Sequence, residues 1–167
     1  TSQHGYVSGS GSAYVFERSG STWTETQKLV ASNRGGTTFE MFGYSVSISG
    51  TYIAIGSYRD DSYMGSAFIF EKSGTWVEKA ILTAPNRTAD DYFGFRVSIS
   101  DNYVIVGAYG EDEDENEMNT ISSAGSAYLF ERDGTGSWNF SDKFVANDRQ
   151  ADDHFSYSLC IDGTNII

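Results

Sequence analysis

The residues best equipped for chemistry are carboxylates. Glu111-Asp112-Glu113-Asp114-Glu115-Asn116-Glu117 places six acids in seven positions. Clustered oxygens at loop spacing are what Ca2+ needs as ligands. Asp112, Asp114 and Asn116 fall at the first three ligand positions of a calcium loop, and Ca2+ is the one cofactor the sequence suggests. The turn glycine that should follow is Glu117, so the competing reading is a solvated acidic loop that aids solubility. Asp60-Asp61 is a shorter version of the same feature. Arg34, Arg87 and Arg149 recur in a second kind of loop, with Asp90-Asp91 and Asp152-Asp153 after the last two. That recurrence predicts an ion pair stapling each loop, worth about 0–1 kcal/mol if exposed. An arginine that binds sugar or carboxylate is the alternative.

Other candidates are weaker. Asn86-Arg87-Thr88 and Asn139-Phe140-Ser141 have the form of N-glycosylation acceptors. Asn86 falls in a predicted loop; Asn139 falls on a predicted strand and needs an outer edge facing solvent to be used. His4 and His154 occupy unrelated positions and have no serine or aspartate partners in sequence, so no catalytic residue is assigned. His154, just before a Phe, reads as a loop packing residue. Cys160 reads as a small half-buried side chain of an inner strand. Tyr58, Tyr63 and Tyr109 are exposed tyrosines that stack either on a sugar or partner, or on one another.

Composition narrows the classes further. Among 167 residues, Lys plus Arg number 11 and Asp plus Glu 23, a net charge of −12. That balance argues against binding nucleic acid or anionic lipid, both of which need a basic face. Aromatics make up 15%, so the chain should fold rather than remain an acidic disordered tail. The longest apolar runs, such as Tyr103-Val104-Ile105-Val106, are too short to span a bilayer. The opening residues lack a signal peptide's basic and apolar stretches. A single cysteine excludes an internal disulfide framework.

The elements that would hold these residues come from a repeat. Gly11-Ser12-Ala13-Tyr14-Val15-Phe16, Gly65-Ser66-Ala67-Phe68-Ile69-Phe70 and Gly125-Ser126-Ala127-Tyr128-Leu129-Phe130 precede Trp23, Trp76 and Trp138. Each copy continues to Leu29, Leu82 or Phe144, then to Ala31, Ala84 or Ala146, and then to Phe42-Gly43, Phe93-Gly94 or Phe155-Ser156. The Phe spacings are 51 and 62 residues. The middle copy predicts strands over about 44–49, 52–57, 66–72 and 76–83, with Val46 and Ile48 as the buried half of an alternating strand. No stretch has a helical period with caps, and Pro85 falls in a loop. Four-stranded units of about 50 residues are the mark of β-propeller blades, which bury their faces by stacking. The fold class is therefore all-β, with blades of four antiparallel strands in about three repeats. Trp23, Trp76, Trp138, Phe42, Phe93 and Phe155 form the repeat core between blades.

The pairs Phe42-Gly43 with Gly56-Ser57-Tyr58, and Phe93-Gly94 with Gly107-Ala108-Tyr109, resemble the FG-GAP repeat, which builds the propeller of integrin α-subunits and many extracellular proteins. The resemblance runs through essentially the whole chain. It implies an extracellular or cell-surface module. Two departures stand out: the Pro of Gly-Ala-Pro is Tyr here, and short turns such as Ser49-Gly50-Thr51 replace the Asp-rich calcium loop between the first two strands. The family's calcium site is therefore not carried over.

The copies divide the chain into a half-blade at 1–41, blades at 42–92 and 93–154, and a half-blade at 155–167. Three blades are too few to close a ring, since propellers take about four to eight. The expectation is a segment of a longer propeller, or a protomer whose open edges pair with other copies. The function expected is non-enzymatic recognition or adhesion outside the cell, with a protein or glycan as ligand. A structural subunit of an extracellular filament, joined through the half-blades, is one alternative. A lectin is another, and it requires the same polar and aromatic trio in every copy.

Overall fold

The computed structural model describes residues 9–33 and 40–167. His4 and Arg34 lie outside them. The elements run β1 (Ala13–Ser19), β2 (Thr22–Leu29), β3 (Ser45–Ser49), β4 (Tyr52–Ser57), β5 (Ser66–Ser73), β6 (Thr75–Leu82), β7 (Arg96–Ser100), β8 (Tyr103–Ala108), β9 (Ser126–Arg132), β10 (Trp138–Phe144), β11 (Ile161–Asp162) and β12 (Asn165–Ile166). Two complete antiparallel sheets, β3-β4-β5-β6 and β7-β8-β9-β10, are flanked by the hairpins β1-β2 and β11-β12. These are propeller-like blades, and the sheets do not close into a ring. Each outer pair carries a register shift at the same place: Val15/Phe16, Ile69/Phe70 and Phe140/Asp142. An extra residue on the outermost strand raises its twist.

The core lies in the seams between sheets. Val15, Leu29, Ala31 and Phe42 meet Ile53, Ile55, Phe68, Phe70 and Trp76 in the first seam. Ala54, Ile69, Leu82 and Ala84 meet Phe93, Val104, Val106, Tyr128 and Phe130 in the second. Trp138 packs on that second seam, edge-on to Tyr52 at 5.8 Å. Trp23, Trp76 and Trp138 share one register, opposite Arg18, Lys72 and Arg132. Trp23 is exposed because, among the described residues, no sheet lies against it.

The innermost strands reverse one expectation. Val46 and Ile48 are exposed, while Val97 and Ile99 at the matching positions of β7 are buried. The serines between them do the joining. Ser47 and Ser49 accept hydrogen bonds from the N–H groups of Ile99 and Asp101, each at 3.1 Å, and Ser98 and Ser100 accept from Ile161 and Gly163 at 3.1 and 3.0 Å. One face of each inner strand thus grips the next sheet through hydroxyls, and the other face needs a preceding strand to cover it. Cys160, aligned with Ser47 and Ser98, is exposed rather than half-buried, because no further inner strand among the described residues covers that face.

A backbone latch closes every seam. Phe42, Phe93 and Phe155 donate their N–H groups to the carbonyls of Ser10 (3.2 Å), Met64 (3.2 Å) and Ala124 (2.8 Å). The preceding residues Met41, Tyr92 and His154 donate to Gly9 (3.1 Å), Tyr63 (3.0 Å) and Ser123 (3.1 Å), and all three sit at positive φ, between 51° and 59°. The chain comes so close that a Cβ on Gly65 would stand 1.9 Å from the Phe93 carbonyl oxygen. Gly74 has a similar φ of +77° but open space around it. We expect Gly74→Ala to cost about 1–2 kcal/mol, the penalty of left-handed backbone alone. Gly65→Ala adds overpacking of about 1–3 kcal/mol more, read as the difference between the two urea-unfolding free energies.

Candidate functional site

Two features gather at the ends of the second strands and the starts of the first. One is the acidic loop that follows β8. Its first acid, Glu111, is fully buried beneath the loop. The Tyr128 hydroxyl donates to Glu111 Oε2 at 2.6 Å. Lys143 Nζ donates to Glu111 Oε1 at 3.1 Å and to Glu117 Oε1 at 3.0 Å, with its own side chain only 3% exposed. Tyr128 and Lys143 are cross-strand partners on β9 and β10, so the sheet holds both under the loop. Burial pushes the Glu111 carboxyl up to about 7, with the Asp91 charge adding to it, against the opposing pull of the Tyr128 bond and Lys143. Burial, and then the Glu111 charge, raise the Tyr128 hydroxyl.

The carboxylates of Glu111, Glu113 and Glu117 lie within 4.8 Å of one another. The ammonium of Lys143 already bridges two of them. Asp112, Asp114 and Asn116 are engaged within the loop. Asp112 Oδ1 accepts the Ser123 N–H at 2.6 Å. Asp114 Oδ1 accepts the N–H groups of Asn116 (2.9 Å) and Met118 (3.0 Å), and its Oδ2 accepts from Asn119 Nδ2. Those bonds, led by Met118, hold the Asp114 carboxyl at about 2. The Asn116 amide donates to Glu115 Oε1 at 3.1 Å.

The recurring arginines act differently from expectation. Arg87 reaches back to the Gly65 carbonyl (3.0 Å) and Asp61 (3.3 Å), and Arg149 to the carbonyls of Asp112 (2.5 Å) and Asn119 (3.0 Å). Each guanidinium staples the loop of the preceding sheet, not its own aspartates. Asp91 and Asp153 instead cap their own turns, accepting the N–H groups of Thr88 and Gln150, both at 2.7 Å. A carboxylate three residues after an open N–H satisfies it locally, which leaves the longer arginine free to reach across the seam. Asn86 is exposed in a turn. Asn139 lies exposed on the edge strand β10, and its amide donates to Asp133 Oδ2 at 3.0 Å.

The second feature is aromatic. Phe95 sits between Tyr44 (5.0 Å between ring centres) and Tyr157 (4.9 Å), in a row that crosses three consecutive sheets. Tyr58 and Tyr109 meet Phe95 edge-on at 5.5 and 4.5 Å. Tyr92 stacks flat on Tyr109 at 4.8 Å, and His154 meets Tyr109 edge-on at 5.4 Å. The Arg96 guanidinium lies 4.7 Å over Phe95 and 5.7 Å over Tyr44; Arg59 lies 5.4 Å from both Tyr58 and Tyr63. Of the three tyrosines expected to be exposed, only Tyr63 is so; Tyr109 is half-buried and Tyr58 is buried, because neighbouring rings cover them. Burial, reinforced by those rings, pushes the Tyr109 hydroxyl up to about 12. Tyr44 and Tyr157, which sequence reasoning missed, are exposed as well. Their signal was present: the residue after Phe-Gly or Phe-Ser is aromatic in every copy, Tyr44, Phe95 and Tyr157.

The FG-GAP repeat family model matches residues 23–70 and 76–130, more than half of the chain. The chain belongs to the FG-GAP repeat family. No curated protein sequence matches it. FG-GAP repeats are a non-enzymatic recognition type found in β-propeller modules of adhesion proteins, and they typify extracellular or surface proteins. No helix among the described residues is long and apolar enough to cross a membrane. In this FG-GAP chain the Phe-Gly pair is the latch, and the residue that follows it builds the aromatic row.

Two measurements probe the buried network. Lys143→Met leaves Glu111 buried without its cation and is expected to cost about 3–5 kcal/mol; the double variant E111Q/K143M is expected to recover at least half of that in urea unfolding. Glu111 also sets a pH slope. Its folded value lies above its ordinary 4.5, so between there and about 7 the folded chain holds the extra proton. The stability this contributes is present in acid and is lost as the pH rises through about 7. The unfolding free energy of the wild type, relative to Glu111→Gln, should therefore fall from about pH 4.5 to about pH 8.

Proposed function

We propose that this chain is a non-enzymatic recognition module that works outside the cell and binds a protein or glycan surface through its aromatic end. The observation that carries this reading is the row Tyr44–Phe95–Tyr157. Its outer rings are solvent-exposed, its centre is buried, and Arg96 lies over it. Large rings held by their neighbours offer contact area at little cost in ordering, as rigid aromatic anchors do at interfaces. Rigid placement comes from the latch, because each of these aromatics follows a Phe-Gly or Phe-Ser pair by one residue. The acidic loop stands beside the row as the longest insertion of the repeat, and such loops on rigid scaffolds carry specificity. Ligand binding here needs no chemistry from Cys160 or His154.

The recurrence of aromatics at this position in all three copies also supports the glycan form of the reading, since a flat ring stacks on the apolar face of a sugar. Binding of the labelled chain to a glycan array, and to cells before and after protease treatment, distinguishes the two ligand classes. The variant Y44A/Y157A is expected to lose at least about tenfold in affinity while keeping the wild-type circular dichroism spectrum, since two anchoring aromatics are worth that much at an interface. Undiminished binding by that variant sinks the proposal.

A further inference from the structure

Two arginines stand among the rings of the aromatic end, at the seam between the two complete sheets. Arg59 follows β4 and Arg96 opens β7. The Arg59 guanidinium lies 5.4 Å from the ring centres of Tyr58 and Tyr63, and that of Arg96 lies 4.7 Å over Phe95 and 5.7 Å over Tyr44. Tyr58 meets Tyr44 at 4.5 Å and Phe95 at 5.5 Å, so the rings under the two cations form one continuous floor.

With 23 acidic residues against 11 lysines and arginines, a cation in this chain has carboxylates to spare. Lys72, Lys79, Arg87 and Lys143 each pair with at least one. Among the described residues, neither Arg59 nor Arg96 does. Arg96 donates one hydrogen bond, to the Phe95 carbonyl at 3.1 Å, and the Arg59 side chain donates none. The acids around them are engaged elsewhere. Asp60 accepts from the Asn33 amide at 3.2 Å, Asp61 from Arg87 at 3.3 Å, and Asp90 from the Tyr92 hydroxyl at 3.3 Å. Nor does the repeat call for these arginines. Gly110 stands at the position of Arg59 in the next copy, and Ser45 and Ser158 stand at the position of Arg96. The blade is built without them. A guanidinium carries five N–H donors in a planar fork that matches a carboxylate with two parallel bonds. Stacking on a ring holds that plane in place and leaves the donors at its edge unused.

We propose that Arg59 and Arg96 read the negative charge of a carboxylated glycan, whose sugar ring stacks on the aromatic floor between them. This rests on the reading of the aromatic end as the binding site and names the ligand class it takes. The floor supplies contact to any sugar, and the guanidinium forks favour one that carries a carboxylate. An acidic peptide offers the same charge on a flexible side chain, without a ring face for the floor to stack on.

Fluorescence anisotropy with labelled oligogalacturonate and sialyllactose, each beside its methyl ester, tests this on the whole chain. The ester keeps the sugar and removes the charge. The wild type is expected to bind at least one acid about tenfold tighter than its ester, the size of one charge-assisted hydrogen bond. R59Q/R96Q should bind acid and ester alike, with wild-type affinity for the ester and an unchanged circular dichroism spectrum. Arg18→Gln, which removes an exposed charge from β1, should keep the preference. Equal binding of acid and ester by the wild type overturns the proposal, whether or not R59Q/R96Q folds. So does a preference that R59Q/R96Q retains or Arg18→Gln loses, binding to none of these sugars, or a polyglutamate peptide that competes as well as the acid sugar. If acid and ester bind equally and Y44A/Y157A weakens both, the aromatic site stands and only the charge reading fails. Undiminished binding by Y44A/Y157A removes the site itself.

Discussion

Everything in this molecule depends on how closely one blade's backbone approaches the next. Gly65 lies against Phe93, and Gly11 against Phe42, each pair as a parallel bridge. A side chain at the glycine would overlap the neighbouring carbonyl oxygen. The approach lets backbone N–H groups of the Phe-Gly turn reach the carbonyls of the preceding sheet, satisfying polar groups that the seam would otherwise bury unpaired. Once the latch is set, the Phe ring falls into the seam, edge-on to the aromatics of β5 or β9. The two motifs of the repeat, Gly-Ser-Ala and Phe-Gly, are the two sides of one contact.

The latch tolerates one exception, and the exception shows its mechanism. In the last copy Ser156 stands where Gly43 and Gly94 stand, at a φ of 71°. Its hydroxyl donates to the Ser126 carbonyl at 2.6 Å. The strained backbone is offset by a hydrogen bond that glycine cannot make. The serine ladder of the inner strands follows the same logic. Small hydroxyl side chains let neighbouring strands approach without apolar bulk and return a hydrogen bond for each N–H they cover.

The acidic loop shows how one insertion is anchored to a repeating scaffold. Most of its acids are solvated or turned onto the loop's own N–H groups, but Glu111 is drawn inward to Tyr128 and Lys143. The equivalent position in the middle copy is Asp60, and there the matching cross-strand pair is the apolar Phe68–Ile81, where β9 and β10 have Tyr128–Lys143. A polar pair on the sheet thus accompanies the long loop above it. The buried carboxylate and ammonium hold the loop in one arrangement, and the arginine from the next seam fastens its far side.

The sequence by itself determined the repeat, the four strands of each unit and the propeller class, because strand periodicity, turn residues and the Gly and Phe of the seam are local and recur. The middle-copy strands agree with the structure to within about a residue at most ends. Only the tertiary structure decided which face of each strand is covered. Val46 and Val97 have the same local pattern and opposite exposure, since burial depends on whether another sheet lies alongside. It likewise decided that Arg87 and Arg149 reach across a seam rather than to the nearby aspartates, and that aromatics about fifty residues apart in the chain line up as one row. Those are distances between copies, and a one-dimensional pattern carries the copies without the rotation that sets them side by side.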